Sequence, residues 1–360
     1  MFLNRSEKSL LKELIKIPSV TGKEEGVISF LKHLFDRAKW LNFEIKVEED
    51  SAGILVVFGT PKILFTTHVD VVDGPLNLFE PSDNGSTVFG RGACDAKGSI
   101  VSMIFACDEL VKSGATDFGL FLFAGEERGG KTVLSCMNYL QGFGIEHVVM
   151  GEPTKCKMAR SHLGALCLNV KFFGQAALSG YLNDGIDANK ILVSAAQKLY
   201  SLDESLLGFN GIWSVNLGRL YGGLSPNTLS PFAAMEVYIR TTMNNHADII
   251  ALVQSVAPEA KIEVMFSGLR KDLVVLEGYE TTEAKMCSSL PHFESLGANL
   301  MMLGPGDPKL AHSNEERIAI SELVDAKELY LKLYDDLSNA EPEDFDIDLP
   351  ENKNEELWYS

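Results

Sequence analysis

The chain has 360 residues, of which 23% are charged and 46% hydrophobic, and its formal net charge at pH 7 is −18. This length exceeds what one hydrophobic core usually supports, so we expect two domains. The acidic excess argues against nucleic acid and anionic membrane surfaces as partners, because both carry negative charge.

The cysteines and the N-terminal residues favour a cytoplasmic protein. The six cysteines are scattered without a Cys-x-x-Cys spacing, which indicates reduced thiols rather than a disulfide framework. Residues 1–18 have the pattern of an amphipathic helix with charges throughout, unlike a signal peptide. No stretch approaches the ~20 apolar residues that a membrane span needs.

The first part of the chain alternates helices with strands. Apolar positions from Leu10 to Ile15 predict a helix that Pro18 ends, and Thr21 to Glu24 has the pattern of a capping box that begins a second helix. Further apolar runs predict strands at 53–58, 63–67, 120–124 and 147–150, with a helix at 100–110. This alternation predicts an α/β fold with a mostly parallel twisted sheet flanked by helices.

A different pattern begins after residue 160. Strands are predicted at 166–173, 213–220, 232–240 and 261–266, and helices at 187–200 and 247–256. The order β-α-β-β-α-β is typical of a ferredoxin-like α+β sandwich. We therefore expect a domain at 161–269, inserted into a catalytic domain formed by residues 1–160 and 270–339. A strand at 300–303 and a helix from Ser321 complete the latter, and we expect 340–360 to be an acidic mobile tail.

Two histidines near opposite ends of the chain lie in segments suited to metal binding. His68 ends a predicted strand, and Asp70 follows it by two positions. Residues i and i+2 of an extended chain share a face, so Asp70 can accept the second ring N–H of His68 and fix its tautomer. A core histidine with a salt-bridge partner is the alternative interpretation. His312 lies in a Gly/Pro-rich loop after the last predicted strand.

Four carboxylates occupy similar positions near strand ends. They are Asp95 in G-R-G-A-C-D-A-K-G, the pair Glu126 and Glu127, and Glu152. Asp95 could bridge two cations or cap the next helix, and the adjacent glutamates could be a ligand and a general base or two exposed loop residues. Nitrogen and oxygen ligands without cysteine suit Zn²⁺, with Mn²⁺ or Co²⁺ possible. A bridging carboxylate implies two ions ~3.5–4 Å apart.

In this order, the segments resemble the M20 family of metallopeptidases and deacylases. The family pattern is H-x-D, G-R-G-x-x-D-x-K-G, E-E, G-E-P-T and a C-terminal histidine. Within the family, I-P-S-V-T-G, G-R-L-Y-G-G-L-S-P-N-T-L-S-P and G-P-G-D-P-K-L-A-H look most like acetylornithine deacetylases and their N-acetylcitrulline-cleaving relatives. The resemblance implies a di-zinc exopeptidase-like fold and a homodimer formed through the inserted domain.

The resemblance also implies an activity. It is the removal of the acyl group from an Nα-acyl amino acid such as N-acetylornithine or N-acetylcitrulline, in arginine biosynthesis, with two divalent metal ions as cofactors. A dipeptidase or a desuccinylase of the same family is the runner-up. One ion would take His68 and Glu152, the other Glu127 and His312, with Asp95 bridging the two.

Further roles follow from the same resemblance. Glu126 would be the general base, and Asp70 would orient the first histidine ligand. Asn227 and Arg240 are the best-matching candidates for binding the substrate carboxylate. A surface arginine at a strand end is the alternative interpretation of Arg240.

The sequence departs from the family pattern at F-E-S (293–295), in place of the usual T-E-A segment, and at one residue of the inserted domain. Dimeric members usually carry a histidine in a G-x-x-A-H-S segment, and that histidine reaches the partner's active site and helps to hold the oxyanion. Here the segment is G-Q-A-A-L-S, with Leu178 in that place. Loss of one oxyanion donor typically costs about 2.7–4 kcal/mol. An active deacylase and a catalytically impaired homologue with a metal- or ligand-binding role therefore both remain open.

Overall fold

The computed structural model describes residues 5–47, 50–206 and 211–340. The acidic tail predicted at 340–360 therefore lies outside the described residues, apart from Ala340. Among the helices within these ranges, none is both long enough and apolar enough to cross a membrane.

The chain forms two compact units, each built around its own strands. The discontinuous unit comprises Met1–Ser161, Asp272–Ala284 and Ser288–Ser360. The inserted unit comprises His162–Lys271 and Lys285–Cys287.

The secondary-structure elements are numbered along the chain. The strands are β1 (Asn42–Val47), β2 (Asp50–Gly59), β3 (Ile63–His68), β4 (Ser82–Asp83), β5 (Thr87–Phe89), β6 (Asp117–Phe123), β7 (His147–Met150), β8 (Met158–His162), β9 (Gly164–Phe173), β10 (Ile212–Gly222), β11 (Phe232–Thr241), β12 (Lys261–Gly268), β13 (Lys271–Asp272), β14 (Thr281–Ala284), β15 (Asn299–Met302) and β16 (Arg317–Ala319). The α-helices are α1 (Glu7–Ile15), α2 (Glu25–Ala38), α3 (Lys97–Ser113), α4 (Lys131–Leu140), α5 (Ala188–Leu206), α6 (His246–Val256) and α7 (Ile320–Ser338).

A six-stranded sheet forms the centre of the discontinuous unit, in the order β1-β2-β6-β3-β7-β15. The pairs β6–β3, β3–β7 and β7–β15 are parallel, whereas β1–β2 and β2–β6 are antiparallel. Every residue of β3 is buried, as expected of a strand covered on both faces. The predicted α/β fold with a mostly parallel sheet is therefore confirmed, and one edge of the sheet is antiparallel.

Helices cover this sheet through apolar contacts. α3 packs against α1 and α7, and α2 packs against β2. In the core, the rings of Phe65 and Tyr330 meet edge to face with centroids 5.7 Å apart. The Tyr330 hydroxyl donates a hydrogen bond to the carbonyl of Leu303 at 2.8 Å, so this polar group is satisfied although it is fully buried.

The capping box predicted at the start of α2 is wrong. The N-cap residue is Glu24, and it makes no side-chain cap hydrogen bond. The Thr21 hydroxyl instead donates to Oδ2 of the buried Asp70 at 2.8 Å. A buried carboxylate requires hydrogen-bond donors, and this tertiary requirement outweighs the local capping pattern.

A small sheet brings two distant loops of the discontinuous unit together. β5 pairs with β4 and with β16, and Phe89 lies opposite Arg317. The loop that leads to Asp95 begins immediately after β5, and the loop that carries His312 ends immediately before β16. The pairing therefore anchors both loops on the same pair of strands.

The inserted unit contains the elements β9-α5-β10-β11-α6-β12, and its antiparallel sheet has the order β10-β11-β9-β12. Leu166, Leu168, Val170 and Phe172 alternate along β9 and are fully buried in the core of this unit. The period of two explains why the strand was recognisable from its sequence. The predicted ferredoxin-like α+β fold is confirmed.

One histidine of the inserted unit makes its stability dependent on pH. His162 is fully buried, and its Nδ1 donates to the carbonyl of Leu163 at 2.9 Å. Burial lowers the pKa of His162, and the nearby cations Arg270, Arg240 and Lys271 act in the same direction; against the hydrogen bond to Leu163, these effects bring the pKa to about 4. The folded protein therefore keeps this ring neutral.

We predict that replacing His162 with Gln makes stability less sensitive to acid. The unfolded chain binds a proton at this ring near pH 6.5, so the wild type is fully stabilised above that pH and loses about 3 kcal/mol as the pH falls to 4. Urea midpoints measured across this range should fall less steeply for His162→Gln than for the wild type. His33→Gln, at an exposed histidine, is the control and should follow the wild type. Parallel curves for wild type and His162→Gln would contradict the prediction.

Candidate metal centre

The predicted site residues of the discontinuous unit lie at one edge of its sheet. His68 ends β3, Glu126 and Glu127 follow β6, and Glu152 follows β7. Because these three strands are parallel neighbours, their carboxyl ends open at the same edge, where open α/β sheets build their sites. Asp95 reaches this edge from the turn before α3.

Two groups of side chains meet at Asp95. In the first group, Nε2 of His68 lies 3.2 Å from Oδ1 of Asp95 and 4.0 Å from Oε1 of Glu152. In the second, Nε2 of His312 lies 3.3 Å from Oδ2 of Asp95 and 3.0 Å from Oε1 of Glu127. Within each group the potential ligand atoms all lie within 4.8 Å of one another. The two oxygens of one aspartate therefore serve two three-residue groups.

The charges within the groups are strongly coupled. Burial opposes protonation of His312, but Asp95 and Glu127 raise the pKa of His312 to about 11. Burial by itself raises the pKa of Asp95, yet hydrogen bonds from His312 and His68 hold that pKa below its usual value. Although the side chain of His312 is 49% exposed, these shifts favour protons on the histidines that would balance the carboxylates. Divalent cations would supply the same positive charge and displace those protons.

Glu152 shows that the residues present fit a metal. Its side chain is only 5% exposed, and Oε1 makes no hydrogen bond among the residues that the structure describes. Burial raises the pKa of Glu152, His68 opposes this rise, and the carboxylates of Asp95, Glu127 and Asp70 add to it, so that the pKa is about 8. A buried carboxylate oxygen without a donor is costly. A cation between His68, Asp95 and Glu152 would satisfy it.

Asp70 connects the first histidine to the glutamate segment. Its carboxylate accepts hydrogen bonds from the backbone N–H groups of Glu126 and Glu127, at 3.0 and 3.1 Å, and from the Thr21 hydroxyl. Nδ1 of His68 donates to the carbonyl oxygen of Asp70 at 2.9 Å, and the carboxylate lies 3.4 Å away. The sequence pattern predicted the carboxylate as the acceptor, but the backbone carbonyl is nearer. Because both oxygens of Asp70 face Nδ1 of His68, Nε2 of this ring is available to bind a metal.

Glu126 belongs to neither ligand group. Burial raises the pKa of its carboxyl group well above the ordinary value, and the carboxylates of Glu152, Glu127 and Asp70 add to this effect. A raised pKa makes the carboxylate a stronger base, which favours the role of general base.

The two predicted substrate-binding residues lie in the inserted unit. Arg240 is half-buried on β11, and its Nη1 is buried without a hydrogen-bond partner in the described parts of the chain. Asn227 lies in an exposed loop, where its backbone carbonyl oxygen accepts a hydrogen bond from the backbone N–H of Ser179 at 2.9 Å. Leu178, 56% exposed, is therefore held next to the loop of Asn227.

Sequence reasoning missed a buried ion pair close to Asp95. Nη1 of Arg91 lies 2.8 Å from Oε2 of Glu316, and both side chains are at most 3% exposed. Arg91 lies in the G-R-G-A-C-D-A-K-G segment that contains Asp95, and Glu316 follows His312 by four positions. The sequence offered one clue to this ion pair: Arg91 and Glu316 carry opposite charges, and each lies in a segment that contains a predicted metal ligand.

Comparisons with known proteins give the same family. The family model described as peptidase family M20/M25/M40 matches residues 64–336. A Peptidase M20 domain-containing protein of Schizosaccharomyces pombe is 28% identical over 347 residues, which cover 90% of this chain and 83% of the relative. A probable carboxypeptidase of Aspergillus niger is 27% identical over an alignment of 366 residues, gaps included, which covers 90% of this chain and 88% of the relative.

Solved structures show the same fold. An M20 family metallo-carboxypeptidase from Sulfolobus solfataricus superposes with a TM-score of 0.71 at 16% identity, covering 92% of this chain and 99% of that one. Human carnosine dipeptidase 1 superposes with a TM-score of 0.72 at 12% identity, covering 91% and 96%. Since the family model spans most of the chain, this protein belongs to the M20/M25/M40 peptidase family.

Proposed function

We propose that this protein removes the acyl group from an Nα-acyl amino acid, such as N-acetylornithine or N-acetylcitrulline, in arginine biosynthesis. The proposed cofactors are two divalent metal ions, zinc foremost and cobalt or manganese as substitutes. The supporting observation is the pair of ligand groups that share the two oxygens of Asp95. His68 and Glu152 would hold one ion, and Glu127 and His312 the other.

The residues would divide the reaction between them. When bound, the two ions would polarise the amide carbonyl and lower the pKa of a water toward ~7. Glu126 accepts a proton from that water as the water oxygen bonds to the carbonyl carbon. Glu126 then gives the proton to the nitrogen as the C–N bond breaks, which releases a carboxylic acid and an amine. Asp70 keeps His68 oriented throughout, because two acceptors on one residue hold its Nδ1–H.

Substrate recognition is proposed for the inserted unit. The α-carboxylate of an Nα-acyl amino acid needs a cationic donor, and guanidinium groups bind carboxylates through paired N–H groups. The buried Nη1 of Arg240 has no hydrogen-bond partner among the residues described, so it supports this role. Asn227 could add its amide from the neighbouring loop.

A second candidate is release of the C-terminal residue of a short peptide. The Aspergillus niger relative is named a probable carboxypeptidase. A C-terminal residue also presents an amide bond next to a free carboxylate, so the same groups could serve both substrates. The two functions differ in the group on the acyl side of the bond. A desuccinylase would differ there too, since its acyl group carries a second carboxylate.

Amine release by the zinc-loaded protein tests these alternatives. The panel contains Nα-acetyl amino acids, including the ornithine and citrulline derivatives, N-succinyl analogues and dipeptides. We predict turnover that chelation abolishes, and a higher kcat/KM for acetyl amino acids than for the other classes. A preference for dipeptides would contradict the proposed deacylase function and favour a peptidase. A preference for succinyl analogues would favour a desuccinylase.

A protein that binds two zinc ions without turnover would instead favour the impaired homologue. Leu178→His then identifies the cause, because it restores a hydrogen-bond donor at this position. A gain in rate of about 10² or more would show that the site lacks only its oxyanion donor. No gain would favour a binding role.

The adjacent glutamates should give opposite results when each is replaced by Gln. Glu126→Gln should abolish turnover while two zinc ions remain bound, because Gln cannot carry the proton and the residue is not a ligand. Glu127→Gln should reduce zinc content, because it removes a carboxylate ligand next to His312. Zinc content by mass spectrometry of the native protein and steady-state rates provide the readouts. Retained turnover in Glu126→Gln would overturn the general-base assignment.

We also propose a homodimer formed through the inserted unit. β10 is an edge strand of its sheet and exposes Trp213, Leu220 and Tyr221. Exposed apolar edge strands tend to pair with another chain.

Sedimentation velocity should show a dimer for the wild type and a monomer for Leu220→Lys, because the added charge would be buried at the proposed interface. Val264→Lys is the matched control, since Val264 is similarly exposed on β12 at the opposite edge of the sheet. A monomeric wild type, or dissociation by Val264→Lys alone, would contradict this interface.

A further inference from the structure

We propose that Glu316, through its ion pair with Arg91, is a positioning residue for the metal position formed by Asp95, Glu127 and His312. This inference rests on the proposed two-metal function and extends it to residues that bind no metal themselves. Glu316 lies in the polar run that follows His312, but its carboxylate contacts the loop of Asp95 instead of solvent.

Glu316 holds the backbone at Asp95 directly. Its side chain is 1% exposed, and Oε1 accepts hydrogen bonds from the backbone N–H groups of Cys94 and Asp95, both at 3.2 Å. Two consecutive peptide groups therefore point at one carboxylate oxygen. This contact fixes the direction in which the Asp95 side chain leaves the chain, and thus where its two oxygens lie.

Arg91 joins the same carboxylate to the loop of His312. Its Nη1 donates to Oε2 of Glu316 at 2.8 Å and to the carbonyl oxygen of Ser313 at 3.1 Å. Ser313 directly follows His312, whose backbone has a positive φ of 61°. A non-glycine residue rarely adopts this conformation, so a neighbouring contact is needed to hold it. One buried ion pair therefore connects the segments that carry both ligands.

The two metal positions are supported unequally by this pair. His68 is oriented by Asp70, whose partners are Thr21 and the backbone of Glu126 and Glu127. Among the residues described, none of the hydrogen bonds of Glu316 or Arg91 reaches this second network. Asp95 serves both positions, but the loop of His312 also depends on the contact of Arg91 with Ser313. Loss of Glu316 should therefore weaken the His312 position more than the His68 position.

Zinc titration of Glu316→Gln against a chromophoric chelator tests the proposal. Gln loses the negative charge, leaves Arg91 buried without its counter-ion, and keeps the size of the side chain. We expect one of the two zinc affinities to fall about 10- to 100-fold and the other by a clearly smaller factor, in line with changes to other residues that support metal ligands. Glu315→Gln is the matched control, because the neighbouring Glu315 side chain is 82% exposed, and both its affinities should equal those of the wild type.

The same titration separates the possible failures. A wild type that does not bind two zinc ions overturns the proposed function itself. A wild type that binds two ions, with Glu316→Gln matching it or losing both affinities equally, overturns only the positioning role. If Glu316→Gln does not fold without metal, as judged by circular dichroism, Glu316→Asp is titrated instead. This variant keeps the negative charge but has a shorter side chain. We expect the same selective loss of zinc affinity, by a smaller factor.

Discussion

Asp95 turns one carboxylate oxygen toward His68 and the other toward His312, at 3.2 and 3.3 Å. Glu152 and Glu127 stand beside these histidines, so negative groups would repel one another at a buried edge of the sheet if nothing positive lay between them. Burial opposes protonation of His68 and His312, but the neighbouring carboxylates raise the pKa values of both histidines, so protons there would supply the positive charge. The rest of the site serves to keep these side chains close together despite that repulsion.

Two networks of hydrogen bonds provide this restraint. The carboxylate of Asp70 accepts hydrogen bonds from the backbone N–H groups of Glu126 and Glu127, and its carbonyl oxygen accepts one from the ring of His68. Glu316 and Arg91 hold the backbone at Asp95 and the loop of His312. The charged side chains at the centre of each network, Asp70 in one and Arg91 and Glu316 in the other, are buried, which strengthens their hydrogen bonds. The strands fix the edge of the sheet, and the networks fix the loops that extend from it.

The sequence was informative where the chemistry is local. Apolar runs located β3, β6 and β7, and the polar residues directly after them were the potential ligands, because parallel strands must open at one edge. The alternation along β9 likewise revealed the inserted sheet. Within the described residues, each of these features depends on neighbours in the chain and on the period of a strand.

Sequence patterns were less informative where the partner is distant in the chain. Thr21 looked like a helix cap because its local spacing is right, but its hydroxyl donates to Asp70. Arg91 and Glu316 are 225 positions apart, so no local pattern could pair them. The nearest acceptor for His68 is a backbone carbonyl, which a sequence does not reveal.

The central claim is that Asp95 holds one divalent ion on each side. Anomalous diffraction from crystals of the zinc-loaded protein, recorded above and below the zinc absorption edge, tests it directly. The account predicts two zinc peaks ~3.5–4 Å apart, one contacting His68 and Glu152, the other Glu127 and His312, with Asp95 touching both. A single peak, or two peaks of which only one contacts Asp95, would contradict it.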